Sequence, residues 1–139
     1  MVTVLGMWER WLEPERFERR VWKNTIEAYG VGQWAMCDIH GGPLASPVQY
    51  ADLVTMLAAY PGHKTFLVPP HSLEGGIVTL SEYTHPADAI YVFGRGGENL
   101  VNHVTPDDDV VSIHMPLEGA ELYAAVALAA VLYDRAVKA

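Results

Sequence analysis

One stretch restricts the folds open to this chain more than any other: DDDVVSIHMPLEGAELYAAVALAAVLYDRAVKA, from Asp107 onward. Residues 110–113 read as a strand, and they run into a loop carrying His114, Met115, Pro116 and Gly119. A long helix is expected over residues 120–137. Open α/β folds bind ligands just beyond the carboxyl ends of their strands. This order therefore sets a ligand-type loop immediately before the last helix. That helix is apolar on nearly every side. Ala124, Ala125, Ala127, Ala129 and Ala130 let another helix approach closely, while Leu122, Val126, Leu128, Val131 and Leu132 fill space. A helix apolar all round must be covered all round, either inside its own domain or against its mate in a two-fold dimer.

The rest of the chain alternates strand and helix. MVTVL (residues 1–5) reads as a first strand. Glu13-Pro14-Glu15 is suited to open a helix, expected to run to Tyr29 and stop at Gly30. Phe17, Val21, Thr25 and Ala28 are expected to face inward; Glu18, inside that arc, either snorkels at the first turn, the preferred reading, or points into a site. Residues 33–38 read as a second strand, followed by a His40-Gly41-Gly42-Pro43 loop. Ser46 and Pro47 suggest the start of a second helix, continuing to Tyr60. Strands follow at 64–68 and 89–93, and a helical turn near 99–104; residues 75–80 fit an edge strand or a loop equally well. The pattern predicts one α/β domain over residues 1–139 with a mostly parallel sheet.

At 139 residues the chain can bury a core without metal or disulfide staples. Cys37 is the only cysteine, which excludes an intrachain disulfide and suits a reducing compartment. No secretory leader is visible in residues 1–12, and the most apolar run, from Leu122 to Tyr133, is shorter than the roughly 20 residues a bilayer requires. A cytoplasmic protein without membrane contact is expected. The net charge of −8 opposes indiscriminate nucleic-acid binding. Even so, five of the nine basic residues fall between Arg10 and Lys23. Arg16, Arg19, Arg20 and Lys23 share one helix face. That stripe is either a solvated surface, with Glu15 and Glu27 nearby, or a phosphate-binding face.

Gly94-Arg95-Gly96-Gly97 directly follows the strand at 89–93, where glycine lets main-chain N–H groups approach a ligand. It has neither dinucleotide-fingerprint nor P-loop spacing, and a tight turn accounts for it about as well. The second loop, 114–119, strengthens the ligand reading. The six histidines show no metal spacing, so no metal site is expected. Nothing near Cys37 would activate it as a nucleophile, and Asp107 to Asp109 read as a solvated turn.

Gly94-Arg95-Gly96-Gly97-Glu98-Asn99-Leu100 after a strand, Ile113-His114-Met115 after another, and an apolar helix with Leu122, Val126 and Ala127 resemble the SPOUT (SpoU–TrmD) RNA methyltransferases, above all the minimal SpoU/TrmH-like members. Thr25-Ile26-Glu27-Ala28-Tyr29-Gly30-Val31 is similar to the end of that family's first motif helix. The resemblance implies a C-terminal deep trefoil knot, S-adenosylmethionine as cofactor, an RNA substrate (tRNA or rRNA) and a homodimer formed through the last helix. It implies cofactor contacts at Leu67, Val68 and Pro69, at Phe93, Gly94, Arg95, Gly96 and Gly97, and at Ile113, Met115, Leu117, Gly119 and Leu122. Arg16, Arg19, Arg20, Lys23 and Arg95 would meet RNA phosphates.

The family's polar motif residues are replaced. Its first-motif Asn and Arg fall on Glu18 and Asn24, its second-motif Glu on Gly96, and its third-motif Ser and Asn on Glu121 and Tyr123. Main-chain cofactor contacts tolerate such changes; a methyl-transfer site does not. The expectation is thus a methyltransferase of atypical chemistry, with Glu121, Glu98 or Tyr123 as base and Glu121 foremost. The alternatives are a non-catalytic SPOUT-fold dimer binding cofactor, RNA or a protein, and a flavodoxin-like domain without a knot.

Overall fold

The computed structural model describes residues 1–9, 15–37, 47–72, 75–95 and 98–139; the side chains of residues 15 and 16 are not among those described. Strands β1 (Val2–Met7), β2 (Gln33–Cys37), β3 (Val48–Tyr50), β4 (Thr65–Leu67), β5 (Val78–Thr79), β6 (Ala89–Phe93) and β7 (Asp109–Ser112) form one seven-stranded sheet. Its order is β3-β2-β1-β6-β4-β7-β5, and every neighbouring pair is parallel. Helices α1 (Glu15–Ala28), α2 (Leu53–Ala59) and α3 (Ala124–Lys138) complete the framework. No described helix is long and apolar enough to cross a membrane.

Alternation along the strands feeds two cores. Val4, Met36, Leu67, Tyr91, Phe93 and Val111 pack on one face against Trp22 and Ile26 of α1 and Leu128, Val131 and Leu132 of α3. Leu5, Cys37, Phe66, Val92 and Val110 pack on the other against Leu53 and Met56 of α2 and Leu100. Register fixes which residue faces which way: Val4 lies opposite Tyr91 and Leu5 opposite Val92. Gly6 admits α1 to its place, because a Cβ there would sit 2.6 Å from Trp22 Cη2 and 2.8 Å from Met36 Sδ.

The strands at 64–68, 89–93 and 110–113 fall where the hydrophobic pattern puts them, and residues 75–80 supply the edge strand β5. Gly30 ends α1 in the left-handed region (φ 63°). The Val31 N–H donates to Ile26 O and the Gly30 N–H to Glu27 O, the paired closure a C-terminal glycine permits.

Several expectations change. The second helix begins at Leu53, not Pro47: Asp52 caps it by accepting the Thr55 N–H at 2.7 Å. Val48 to Tyr50 pair with β2 instead, helped by β-branched Val48 and aromatic Tyr50. The last helix starts at Ala124 rather than 120, since residues 120–123 continue the loop. On α1 the buried stripe is Glu18, Trp22 and Ile26, while Phe17 and Ala28 are exposed and Val21 and Thr25 half-buried. Trp22, the largest apolar side chain of α1, sets that phase. Glu18 does not snorkel; it is 1% exposed. The turn at 107–109 is structured by its carboxylates, for Asp108 accepts from the Thr105 and Lys64 N–H groups and Asp109 from the Tyr83 hydroxyl. Residues 13–14 and 38–46, with their proposed helix start and loop, lie outside the described residues.

Candidate functional site

Four neighbouring strands, β1, β6, β4 and β7, deliver their carboxyl ends to one side of the sheet. The first three strands are laid down toward one edge and the later ones toward the other, an order reversal that opens a crevice in α/β proteins. A cavity of about 450 Å³ lies there. Glu9 borders it beyond β1, Leu67, Val68, Pro69 and Ser72 at and beyond β4, Phe93, Gly94 and Arg95 at and beyond β6, and Ile113 and Met115 beyond β7. Glu98, Asn99 and Leu100 close one side, and Glu121, Leu122, Tyr123, Ala124 and Ala127 another. Its size falls in the range of small-molecule sites, and its walls are mostly apolar with polar groups at a few points.

Local sequence explains the walls. Pro69 and Pro70 stop β4, and Gly94 lets the chain turn closely past Leu100, whose Cγ would lie 2.9 Å from any Cβ at that position. Arg95 is half-buried and donates from Nη1 to Trp8 O at 3.3 Å. Glu9 Oε1 accepts the Ala124 N–H at 3.4 Å, joining the end of β1 to the start of α3. Beside the cavity, His71 Nε2 and Glu121 Oε1 stand 3.9 Å apart, both about half in solvent.

Similarity searches of sequence alone return nothing: no family model and no curated protein matches the chain. Solved structures do match. A TrmH-family protein from Porphyromonas gingivalis superposes with a TM-score of 0.70 at 16% identity, over 99% of this chain and 60% of that one. A protein studied for the 2-OH methylation of C/U34 on tRNA gives 0.69 at 20% identity, over 99% of this chain and 90% of that one. The SpoU methyltransferase AviRb from Streptomyces viridochromogenes, solved with the cofactor AdoMet, gives 0.64 at 15% identity, over 99% and 57%. This chain has the SpoU/TrmH fold. At these identities the fold is what is shared, and the chain spans under two thirds of the first and third of these proteins.

Within the SpoU/TrmH fold the sequence-predicted residues divide into four groups. Leu67, Val68, Pro69, Phe93, Gly94, Arg95, Ile113, Met115 and Leu122 line the main cavity together with Glu98, Glu121 and Tyr123. Leu117 and Gly119 line a smaller adjoining hollow of about 290 Å³, shared with Met115 and His71. Gly96, Gly97 and the Arg16 side chain lie outside the described residues. Arg19, Arg20 and Lys23 border neither hollow; Arg20 and Lys23 are exposed on α1, and Lys23 Nζ stands 3.7 Å from Glu27. No group of three or more described His, Cys, Asp or Glu residues is arranged to hold a metal ion.

Glu9, Ser72 and Asn99 were not anticipated. Glu9 could have been found by the rule that picked the other loops, since it stands two residues beyond the end of β1. Of the polar motif positions, Glu18 is withdrawn from the cavity: its Oε2 accepts the Glu9 N–H at 2.7 Å and the Trp22 Nε1–H at 3.3 Å.

Proposed function

We propose that this protein is an S-adenosylmethionine-dependent methyltransferase acting on tRNA or rRNA in the cytoplasm, with an acceptor side unlike that of its structural neighbours. One observation carries the reading: four strand ends of a SpoU/TrmH fold converge on a single cavity of about 450 Å³. Its lining suits an adenosine-sized ligand with a charged tail. Leu67, Phe93 and Leu122 offer apolar surface, and residues of the loops beyond β4, β6 and β7 reach its edge. Gly94, without a side chain, keeps the cavity open where the chain leaves β6. Bound there, the cofactor supplies an electrophilic methyl group on a positively charged sulfur. Leu117 and Gly119 would hold whatever part of it extends into the adjoining hollow.

The chain's own task is then positioning, which accounts for most of the acceleration in such a transfer. Glu98, Glu121 and Tyr123 stand at the mouth and would orient the acceptor, while Arg95, Arg19, Arg20 and Lys23, with Arg16, would hold phosphates. A trefoil knot is part of the same reading. Its support is that β4 lies between β6 and β7 although it precedes both, and that α3 follows the β7 loop back to pack on β6 and α1. Refolding with and without a bulky C-terminal fusion tests threading: a fusion slows a chain that must be threaded and leaves an unthreaded one unchanged.

A homodimer is proposed through α3. Val126, Tyr133 and Val137 form an exposed apolar row on that helix, continued by Leu122 and Tyr123. Because the last two also line the cavity, a mate seated there would border its mouth. Val126→Glu with Tyr133→Glu should yield a monomer by sedimentation; an unchanged mass would place the interface elsewhere.

Calorimetry with S-adenosylmethionine and S-adenosylhomocysteine tests the central claim, and heat from neither would reject it. The second reading, a dimer that binds without catalysing, is favoured by the burial of Glu18, which ties a first-motif position into the scaffold. Cofactor binding without methylation of any tRNA or rRNA transcript would select it.

A further inference from the structure

We propose that Glu9 is the carboxylate that takes the acceptor's proton in the cavity, and that the buried Glu18 is its positioning residue. This rests on the methyl-transfer reading and adds to it a group outside every motif of the family resemblance.

Trp8, directly after β1, is sealed in the core at 1% exposure, and Glu9 emerges beside it, half-buried, on the cavity wall. Two contacts fix it. Glu18 Oε2 accepts its main-chain N–H at 2.7 Å, and its own Oε1 accepts the Ala124 N–H at 3.4 Å. The first sets the backbone and the second the side chain, so the carboxylate is oriented before an acceptor arrives. Glu98 and Glu121 are exposed, and Glu121 Oε1 stands 3.9 Å from Nε2 of His71, a residue of the adjoining hollow. Exposed glutamates must give up side-chain freedom to reach the same precision.

Glu18 is the carboxylate in the buried stripe of α1. The stripe it shares with Trp22 and Ile26 would be more simply apolar, because a buried carboxylate is costly unless hydrogen-bonded. Among the described residues, the Trp22 indole and the Glu9 main-chain N–H both donate to it. An anchor for Glu9 gives that buried charge a purpose.

The step balances without a further reactant. A lone pair on an acceptor N–H or O–H forms the bond to the methyl carbon, and the carbon–sulfur bond breaks onto sulfur to leave a neutral thioether. The acceptor's proton passes to the Glu9 carboxylate, which then releases it to water.

The test follows wild type, E9Q, E18Q and E121Q by calorimetry with S-adenosylmethionine and S-adenosylhomocysteine. Transfer of labelled methyl to a pool of unmodified tRNA and rRNA transcripts is followed beside it, across pH. E9Q should keep affinity for both ligands within about threefold, lose roughly 10²–10⁴-fold in turnover and lose the acid limb of its pH profile. E18Q should bind normally, turn over about tenfold more slowly and shift that limb, an effect a purely structural residue would not produce. E121Q should raise KM and keep the limb. E9Q with wild-type turnover and profile, or an acid limb lost in E121Q instead, overturns the assignment of Glu9; an unshifted limb in E18Q removes Glu18. Wild-type protein that binds neither ligand, or binds and methylates nothing, rejects the parent reading and the role of Glu9 together, and is told apart by wild type alone.

Discussion

The two ends of the sheet handle polar groups in opposite ways. At the carboxyl end, Glu98 and Glu121 stand around a cavity with much of their surface in water, and loops supply the walls. At the amino end, polar side chains satisfy one another. His85 lies between the Tyr91 hydroxyl and Asp134 Oδ2, 2.7 Å from each. Arg135 donates to Tyr91 at 3.0 Å and to the carbonyls of Pro86 and Ala87. Lys138 donates to Leu80 O and Tyr83 O and pairs with Asp134 at 2.7 Å. Tyr83 in turn bonds Thr65 and Asp109. Burial raises the Tyr91 and Tyr83 phenols, so both stay protonated donors at neutral pH. A closed network of this kind holds the end of α3 in one place; an open one leaves groups for a ligand. The amino end is scaffold and the cavity end is where binding is to be sought.

The largest expected effect breaks the scaffold alone. Asp134→Ala leaves His85, only 5% exposed in its side chain, and Lys138 without their shared acceptor. Hydrogen bonds to charged groups contribute about 1.5–3 kcal/mol each, so a loss of roughly 3 kcal/mol is expected. It should appear as a lower denaturation midpoint at constant m-value, with ligand affinity unchanged in the surviving folded protein. A coupled loss of affinity would show that the two ends are not separate. Gly94→Ala reverses the emphasis. Its new Cβ would press on Leu100 Cγ at 2.9 Å, and overpacking of that order costs about 1–3 kcal/mol. Because Gly94 and Leu100 both line the cavity, affinity for S-adenosylmethionine should fall by more than tenfold, roughly the equivalent of 1.4 kcal/mol. Calorimetry beside a melting curve separates the two effects.

Acid exposes the scaffold in a different way. Burial alone would raise the Asp134 carboxyl, but hydrogen bonds from Lys138 and His85 outweigh it and hold it below the ordinary value. Asp108, likewise partly buried, is brought down by the Thr105 and Lys64 N–H groups. A carboxyl whose folded pKa is depressed contributes stability above its unfolded pKa and loses it as pH falls through the folded value. Melting temperature should therefore change little from these groups between pH 7 and about pH 5 and drop below about pH 4. D134N and D108N should each flatten that drop while lowering the plateau; an unaltered acid slope in both would assign it to other carboxylates.

Much of this contrast was legible in the sequence, but unevenly. The strand at Ala89–Phe93 and the loops after it and after β7 were readable because strand periodicity and glycine report local backbone needs directly. Helix starts were less so. Pro47 looks like a first helical residue, yet Val48 to Tyr50 gain more by pairing with β2, and that pairing is long-range. Glu18 was misjudged for a related reason: one of its donors is the Glu9 N–H, nine positions away and outside the helix, which periodicity does not reveal. The amino-end network joins residues 49 positions apart in the case of His85 and Asp134, so no local pattern announces it.

The smallest expected effect concerns α1, where scaffold and proposed function meet on one helix. Arg20 and Lys23 are exposed, and the Lys23–Glu27 pair at 3.7 Å is open to solvent on both sides. Removing such a pair changes stability little, so R20A with K23A should fall within about 0.5 kcal/mol of wild type. If the stripe is merely a solvated face, nothing else changes. If it holds phosphates, affinity for a tRNA transcript weakens, and the slope of log K against log salt becomes shallower by roughly 0.7–0.9 for each phosphate no longer neutralised. A parallel slope in the variant would return these side chains to the solvated surface and confine recognition to the cavity mouth. A shallower one would extend the binding surface from that mouth along α1, on a face that leaves the buried Glu18–Trp22–Ile26 stripe undisturbed.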